Sequence, residues 1–393
     1  MNIALFEDSH WPHFLPLCYT RPVGALRHGI LSNDARWSAV LNAPCFHHSR
    51  AYLGALFPPP PVDDALHINA RLFPSPSLVT QISDLKSGEV LVHGDCVLAW
   101  QGKYADASAD IATPGWKQIS AVDPPMMLHR IADLFLQNGQ AIRYDFDLLT
   151  HNRISAQPHT SVTLIGDPSN LFLEPGALVL DSSINLTEGP VYIGHNAEVM
   201  EGSRIRGPFA LCEGSQVKMG AKIYGPTTIG PHAKVGGEIS NSVFLGYANK
   251  AHDGFLGNSV IGEWCNLGAD TNTSNLKNNY SNVRVFNYAT NRDEDTGQLF
   301  HGLIMADHSR CGINTMFNTG TVVGVACNIF GAGFPAKHLP SFTWGGAEGQ
   351  ETYDLYKAME TAGRVMKRRG ISFGPEWQSI LAHIFNLTDG QRA

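Results

Sequence analysis

With 393 residues, 43% of them hydrophobic, the chain can fill two or three domains with real cores. A net charge of −7 gives no electrostatic support to nucleic acid or an anionic membrane as a partner, and no apolar run near 18 residues predicts a membrane span. The start, MNIALFEDSH, lacks the basic flank and long apolar core of a secretory signal; the seven cysteines are scattered, odd in number and never CxxC, so a cytoplasmic protein with reduced thiols is expected.

In chain order, residues 1–157 read as an α/β domain, with short β runs at 3–6 and 89–100 and a helical stretch at 126–138. The run PPPPV at 58–62 reads as a loop. A second domain, 158–345, has another rhythm. Ile193, Val199, Ile205, Leu211, Val217, Ile223, Ile229 and Val235 fall at every sixth position. Four places after these come Ala197, Ser203, Ser215, Ala221, Thr227 and Ala233, with Phe209 the exception. Gly202, Pro208, Gly214, Gly220 and Pro226 supply turns. Neither a helix nor an ordinary strand has a period of six. A coil with three short flat faces does, each face one hexapeptide, the aliphatic residue inside and the small one at the corner. The expected fold is a left-handed parallel β-helix, and the 39 glycines suit its corners.

The period slips at Gly236-Gly237 and around His252, resumes at Ile261 and Leu267, and stops from about 270 to 302. That polar, aromatic stretch reads as a loop thrown out of one coil edge. Phe317, Val323 and Ile329 resume the count. Residues 346–393 predict a helical tail, with helices at 352–369 and 376–386. These helices are expected to cap the open end of the coil, because an unpaired edge invites aggregation.

Chemistry-bearing residues crowd where the repeat falters: NKAHDGFLGNSVIGEWCNLGADTNTSNLKNN, residues 249–279. The segment resembles the active-site segment of the bifunctional N-acetylglucosamine-1-phosphate uridyltransferases/glucosamine-1-phosphate N-acetyltransferases. It shares Lys-x-His at Lys250 and His252, Asn-hydrophobic-Gly-Ala from Asn266, and a later Asn275. GPFA at 207–210 resembles a motif of that family's coil, and the start, FEDS…LPLCYTRPVGALRHGIL, is similar to a GlmU-like branch with a short, divergent nucleotidyltransferase domain.

The resemblance implies an acetyl-CoA-dependent N-acetyltransferase acting on an amino-sugar phosphate, foremost glucosamine-1-phosphate, on the route to UDP-N-acetylglucosamine for the cell envelope. His252 matches the family's catalytic base, a role suited to histidine's near-neutral pKa. Asn266 matches a sugar contact. Ala269 matches the backbone N–H facing the thioester oxygen. Asn275 matches an asparagine lent by a neighbouring chain of a homotrimer. Two departures touch the sugar phosphate: Phe255 replaces a tyrosine, and Leu211 follows GPFA where the family has an arginine. Lys222, Lys250 and Lys277 remain as phosphate candidates, and Arg310 and Lys337 as CoA candidates.

The N-terminal domain has no GxGTRM loop. Arg21, Arg27 and Arg71 are its candidates for nucleotide phosphates, with UTP as the nucleotide. VHGDC resembles the Gly-Asp that holds Mg²⁺, which makes Asp95 a candidate metal ligand. His10 and His13 of HWPH are a weak metal pair. Whether this domain transfers nucleotides is open at this stage. The alternative is a sugar-nucleotide pyrophosphorylase whose coil only oligomerises. A zinc hydratase would need three convergent histidines, and the spacing of His232, His252, His301 and His308 matches no such site.

Overall fold

The computed structural model describes residues 2–104 and 115–392. They fall into two compact units: residues 1–26 and 31–130 in one, residues 27–30 and 131–393 in the other. No helix among the described residues is long and apolar enough to cross a membrane.

The first unit is built on a six-stranded sheet, in the order Cys45–His48, Ile3–Phe6, Asp64–Asn69, Cys96–Lys103, Glu89–His93 and Lys117–Ser120. The first three strands run parallel and Cys96–Lys103 is antiparallel to its neighbours. Ile3–Phe6 is wholly buried, as its unbroken apolar run requires of a central strand. The run 89–100 is a hairpin of two strands, turning at Gly94 and Asp95.

The second unit contains the expected left-handed parallel β-helix. Its first face has six strands, its second nine, and its third ten, including a closing antiparallel pair, Thr343–Gly346 with Gly349–Thr352. The hexad residues form the core: Ile193, Val199, Leu211, Val217, Ile229 and Val235 are all fully buried. Each is worth roughly 1.5–3 kcal/mol of burial. Most strands of the third face are two residues long; the first points out and the second in, as in Lys234–Val235 and Asn266–Leu267. A further regularity lies at the corner between the second and third faces. His232, Tyr247, Trp264, His308 and Phe342 all hold φ between 51° and 62° there. A left-handed backbone is unfavourable for bulky residues. Mutual packing offsets it: Tyr247 stacks on Trp264 at 4.1 Å, and His232 lies 4.9 Å from Tyr247.

Three expectations need correction. The helix expected at 126–138 begins only at Asp133, because Met127 and Leu128 are tied to the chain near Leu72 and Arg71. The longer helix is Asn138–Thr150, whose buried Asp145 and Asn138 accept from the backbone N–H groups of Ile30 and Gly29. The C-terminal helices, Leu355–Lys367 and Pro375–Leu387, lie along the side of the coil instead of over its end. Trp377 packs edge-on against His308 at 5.6 Å and Phe385 against Phe342 at 5.0 Å.

The inserted segment is a hairpin, Arg284–Asn287 with Arg292–Asp295, and it docks back on its own coil. Phe286 stacks on His338 at 3.7 Å, and the Lys337 ammonium donates to the carbonyl of Arg284 at 2.9 Å. Burial pulls His338 down to about 4, against the attraction of Asp293, so the stacked ring is neutral over the ordinary pH range. Phe286→Ala removes an aromatic pair worth about 1 kcal/mol. Limited proteolysis should then nick the hairpin faster while the coil keeps its melting temperature; an unchanged cleavage rate would show that the stack does not hold the hairpin down.

Candidate active site

The place where the ladder falters is a corner of the coil. Val217 pairs with Val235, eighteen residues on, but Val235 pairs with Lys250, only fifteen on. Two of the three missing residues are lost at Gly236 and Gly237, since Ile223 pairs with Ile239 sixteen residues on, and the third at the next corner, since Ile229 pairs with Phe244 fifteen on. A Cβ on Gly236 would lie 2.2 Å from the carbonyl oxygen of Ala251, and one on Gly237, where φ is 73°, 2.9 Å from Cα of Asp253. Only glycine lets the next corner close in this far.

Lys250 therefore takes the inward place of the column, between Val235 and Leu267, and is 1% exposed. It lies inside the coil, not on its surface as a lysine ordinarily would. Its ammonium donates to the carbonyl oxygens of His252 and Asp253, the latter at 3.0 Å. Burial pulls its pKa down to about 8, opposed by the charges of Asp253, Asp270 and Cys311. The cation is thus spent on bracing the corner backbone.

His252 and Asp253 are exposed on that corner. The register sets Met219, Gly237, His252, Ala269 and Ile313 in one column, each two places after an inward residue. Met219 and Ile313, each two coils from the histidine, are 69% and 72% exposed and make the edge apolar on either side of it. Asn266 is on the third face, one coil on from Asn249, and accepts from the Asn249 amide at 2.8 Å. The Phe255 N–H donates to Asn272 at 2.9 Å.

Other expected residues lie elsewhere. Asn275 donates to Asn258 at 2.8 Å on a different corner, so one chain does not bring it to His252. Lys222 is exposed on the first face, 4.0 Å from Glu238. Lys277 donates to the carbonyl of Asn282 inside the insert, near Lys337. Lys337 and Arg310 are therefore apart: Lys337 is with the insert, Arg310 on the third face beside Asn266.

Arg310 and Asn266 line a cavity of about 450 Å³ between the third face and the end of the Leu355–Lys367 helix. Lys234, Tyr247, Asn249, Trp264, Arg368 and Arg369 also line it. The helix residues escaped sequence reading, although an Arg-Arg pair directly after an amphipathic stripe was visible. Arg50 and the inward lysine were also missed; counting fifteen residues from Val235 would have put Lys250 inside.

In the first unit, Arg71 is buried and bonded to Asp8, and its remaining guanidinium nitrogen donates to the carbonyl of Leu128 at 3.0 Å. Burial alone would raise Asp8; the bonds and charge of Arg71, with Asn69 and the His10 N–H, outweigh it and hold the carboxyl below its usual range. Arg27, which belongs to the second unit, donates to the carbonyl of Ile30 and to Sγ of Cys212. Both arginines are engaged in internal bonds. Arg21 is buried. Asp95 is an exposed carboxylate at a hairpin turn, and no group of three metal-ligating side chains occurs among the described residues. A cavity of about 520 Å³ opens instead at the ends of Ile3–Phe6 and Cys45–His48, lined by Glu7, Trp11, His48, Arg50 and Tyr104 among others. Arg50 pairs with Glu7 at 2.6 Å and lies over Trp11 at 4.2 Å.

Residues 3–154 match the family model described as sugar nucleotidyl transferase. The bifunctional protein GlmU of Methanocaldococcus jannaschii is 36% identical over 90 residues, which is 23% of this chain and 21% of that relative. Over those 90 residues the chain is similar to that protein. The match spans about a fifth of the length of that curated relative. Solved structures similar to this chain include a mutant of AntD, an N-acyltransferase from Bacillus cereus, in complex with dTDP and coenzyme A. It is 14% identical, covers 49% of this chain and 89% of its own, and has a TM-score of 0.23. UDP-N-acetylglucosamine O-acyltransferase from Moraxella catarrhalis is 10% identical, covers 58% and 96%, and also scores 0.23. The UDP-N-acetylglucosamine acyltransferase of Campylobacter jejuni is 16% identical, covers 60% and 83%, and scores 0.23. At such scores these likenesses carry no argument about the chemistry of this chain.

Proposed function

We propose that the coil transfers an acetyl group from acetyl-CoA to the amine of an amino-sugar phosphate, glucosamine-1-phosphate foremost, with His252 as general base. The observation that carries this reading is the corner itself. One coil is shortened by three residues, a lysine is buried to brace the backbone, and the result is an exposed imidazole; a passive scaffold needs none of these. The amine attacks the thioester carbonyl, its proton passes to His252, and the collapsing tetrahedral adduct expels CoA thiolate, which takes the proton up. The Ala269 N–H is assigned to the oxyanion, Asn266 to the sugar, and Asn275 to the site of a neighbouring copy. Lys250 acts through the backbone of His252. The apolar edge at Met219 and Ile313 supports a homotrimer in which a second copy covers this corner.

We assign nucleotidyl transfer, with UTP as nucleotide, to the first unit, and place it at the cavity lined by Trp11, His48 and Tyr104, where Arg50, bonded to Glu7 and to the carbonyls of Cys18 and Arg21, shapes the wall and is not counted as a phosphate ligand. Ligands of such sheets bind at the carboxyl ends of the strands. No step is assigned to Mg²⁺. The cytoplasm, where both acetyl-CoA and UTP occur, is the compartment this chemistry requires.

The test is to incubate the protein with acetyl-CoA and glucosamine-1-phosphate, with and without UTP and Mg²⁺, and to follow free thiol and pyrophosphate separately. Thiol release dependent on the amino sugar supports the reading. Pyrophosphate release without thiol release replaces it with a pyrophosphorylase on a structural coil.

A further inference from the structure

We propose that the cavity between the third face of the coil and the Leu355–Lys367 helix binds the diphosphate group of a phosphorylated small molecule. Four cations converge there: Lys234 and Arg310 from the coil, Arg368 and Arg369 from the end of the helix. Among the described residues none of the four has a carboxylate within ion-pair distance, whereas nearby Arg364 sits 2.6 Å from Glu360. The charges of Lys234, Arg368 and Arg369 act on one another. Burial and then the charges of Arg369, Lys218 and Arg368 pull Lys234 down, with Glu198 opposing; burial and then Arg368 pull Arg369 down; burial pulls Arg310 down. Partly desolvated like charges are unfavourable without an anion. The helix terminus attracts cations and accounts for Arg368 and Arg369. It does not account for Lys234 and Arg310 facing them from the coil.

The volume selects the ligand. Lys234, Asn249, Asn266 and Arg310 follow one another along the outward column of the third face, which sets Lys234 and Arg310 three strand spacings, roughly 14 Å, apart, so the diphosphate is placed at the Lys234 end, against Arg368 and Arg369. About 450 Å³ is within the range of small-molecule sites and exceeds what one phosphate fills. Tyr247 and Trp264 already stack on each other at 4.1 Å, which leaves recognition to the phosphates instead of a base. Coenzyme A, a nucleoside diphosphate sugar and free pyrophosphate all carry this group.

Isothermal titration at low salt tests the site, using pyrophosphate, CoA, UDP-N-acetylglucosamine and inorganic phosphate as separate probes. Pyrophosphate is expected to bind at least ten-fold more tightly than phosphate. Whether CoA or the nucleotide sugar binds more tightly identifies the source. Arg369→Gln on the helix and Lys234→Gln on the coil should each weaken binding roughly ten-fold or more, the loss of one charged hydrogen bond. Arg206→Gln on the first face serves as the off-site control and should leave it unchanged. Two independent variants, each checked by thermal melting, keep the test decisive if one misfolds. No binding of pyrophosphate, or equal affinity in both variants, overturns the proposal. Because binding is read without turnover, its failure leaves the His252 reading standing, and the reverse holds.

Discussion

His252→Ala is expected to lower the rate of CoA release by roughly 10²–10⁴-fold, the usual contribution of a positioned general base. The side chain is exposed and carries no packing role, so the melting temperature should hold. KM for acetyl-CoA should also change little, because the imidazole meets the amine and not the CoA. Four of the seven thiols add little background when thiol release is followed. Burial pushes Cys212, Cys265, Cys311 and Cys327 above their ordinary range, so these thiols stay protonated and slow to react. A variant that keeps its rate would move the proton acceptor elsewhere. Asp253, the adjacent exposed carboxylate, would be the first alternative.

Much of the coil was legible because its period is strict. An inward residue every six positions closes a turn after eighteen, and nothing else gives that spacing. Legibility ended where the count changed. The fifteen-residue step from Val235 to Lys250 shifts the register, so a lysine in the core column looked like surface charge. The corner aromatics escaped for a different reason. Tyr247 and Trp264 occupy a backbone region bulky residues rarely adopt, and only their stacking in space explains it. The insert lacked the hexad and read as a loose loop, because the stack of Phe286 on His338 joins residues 52 apart. The first unit had no period at all. Arg71 and Arg27 were ranked by charge, whereas burial and partners decide their role, and the pair of Asp8 and Arg71 spans 63 residues.

Lys250→Met should separate stability from function. Methionine matches the length of lysine and removes the buried charge, so the variant should melt no lower than the parent near pH 7. The carbonyls of His252 and Asp253 then lose their donor, and the corner is held less tightly. A misplacement of about 1 Å suffices for a loss on the order of 10²-fold, so kcat should fall by roughly 10–100-fold. The pH dependence gives an independent reading. The ordinary lysine value of 10.5 is lowered to about 8 in the folded chain. Between those values the unfolded chain holds the proton more firmly, so stability rises with pH through the window, by about 3 kcal/mol in all. Below pH 8 both states are protonated and the penalty is constant. Urea titrations of parent and variant at several values from pH 7 to 10.5 isolate this effect, since every other group cancels in the difference. The parent should gain on the variant steadily across the window. A flat difference would mean that the ammonium is solvated, and the corner would then owe its shape to Gly236 and Gly237 alone.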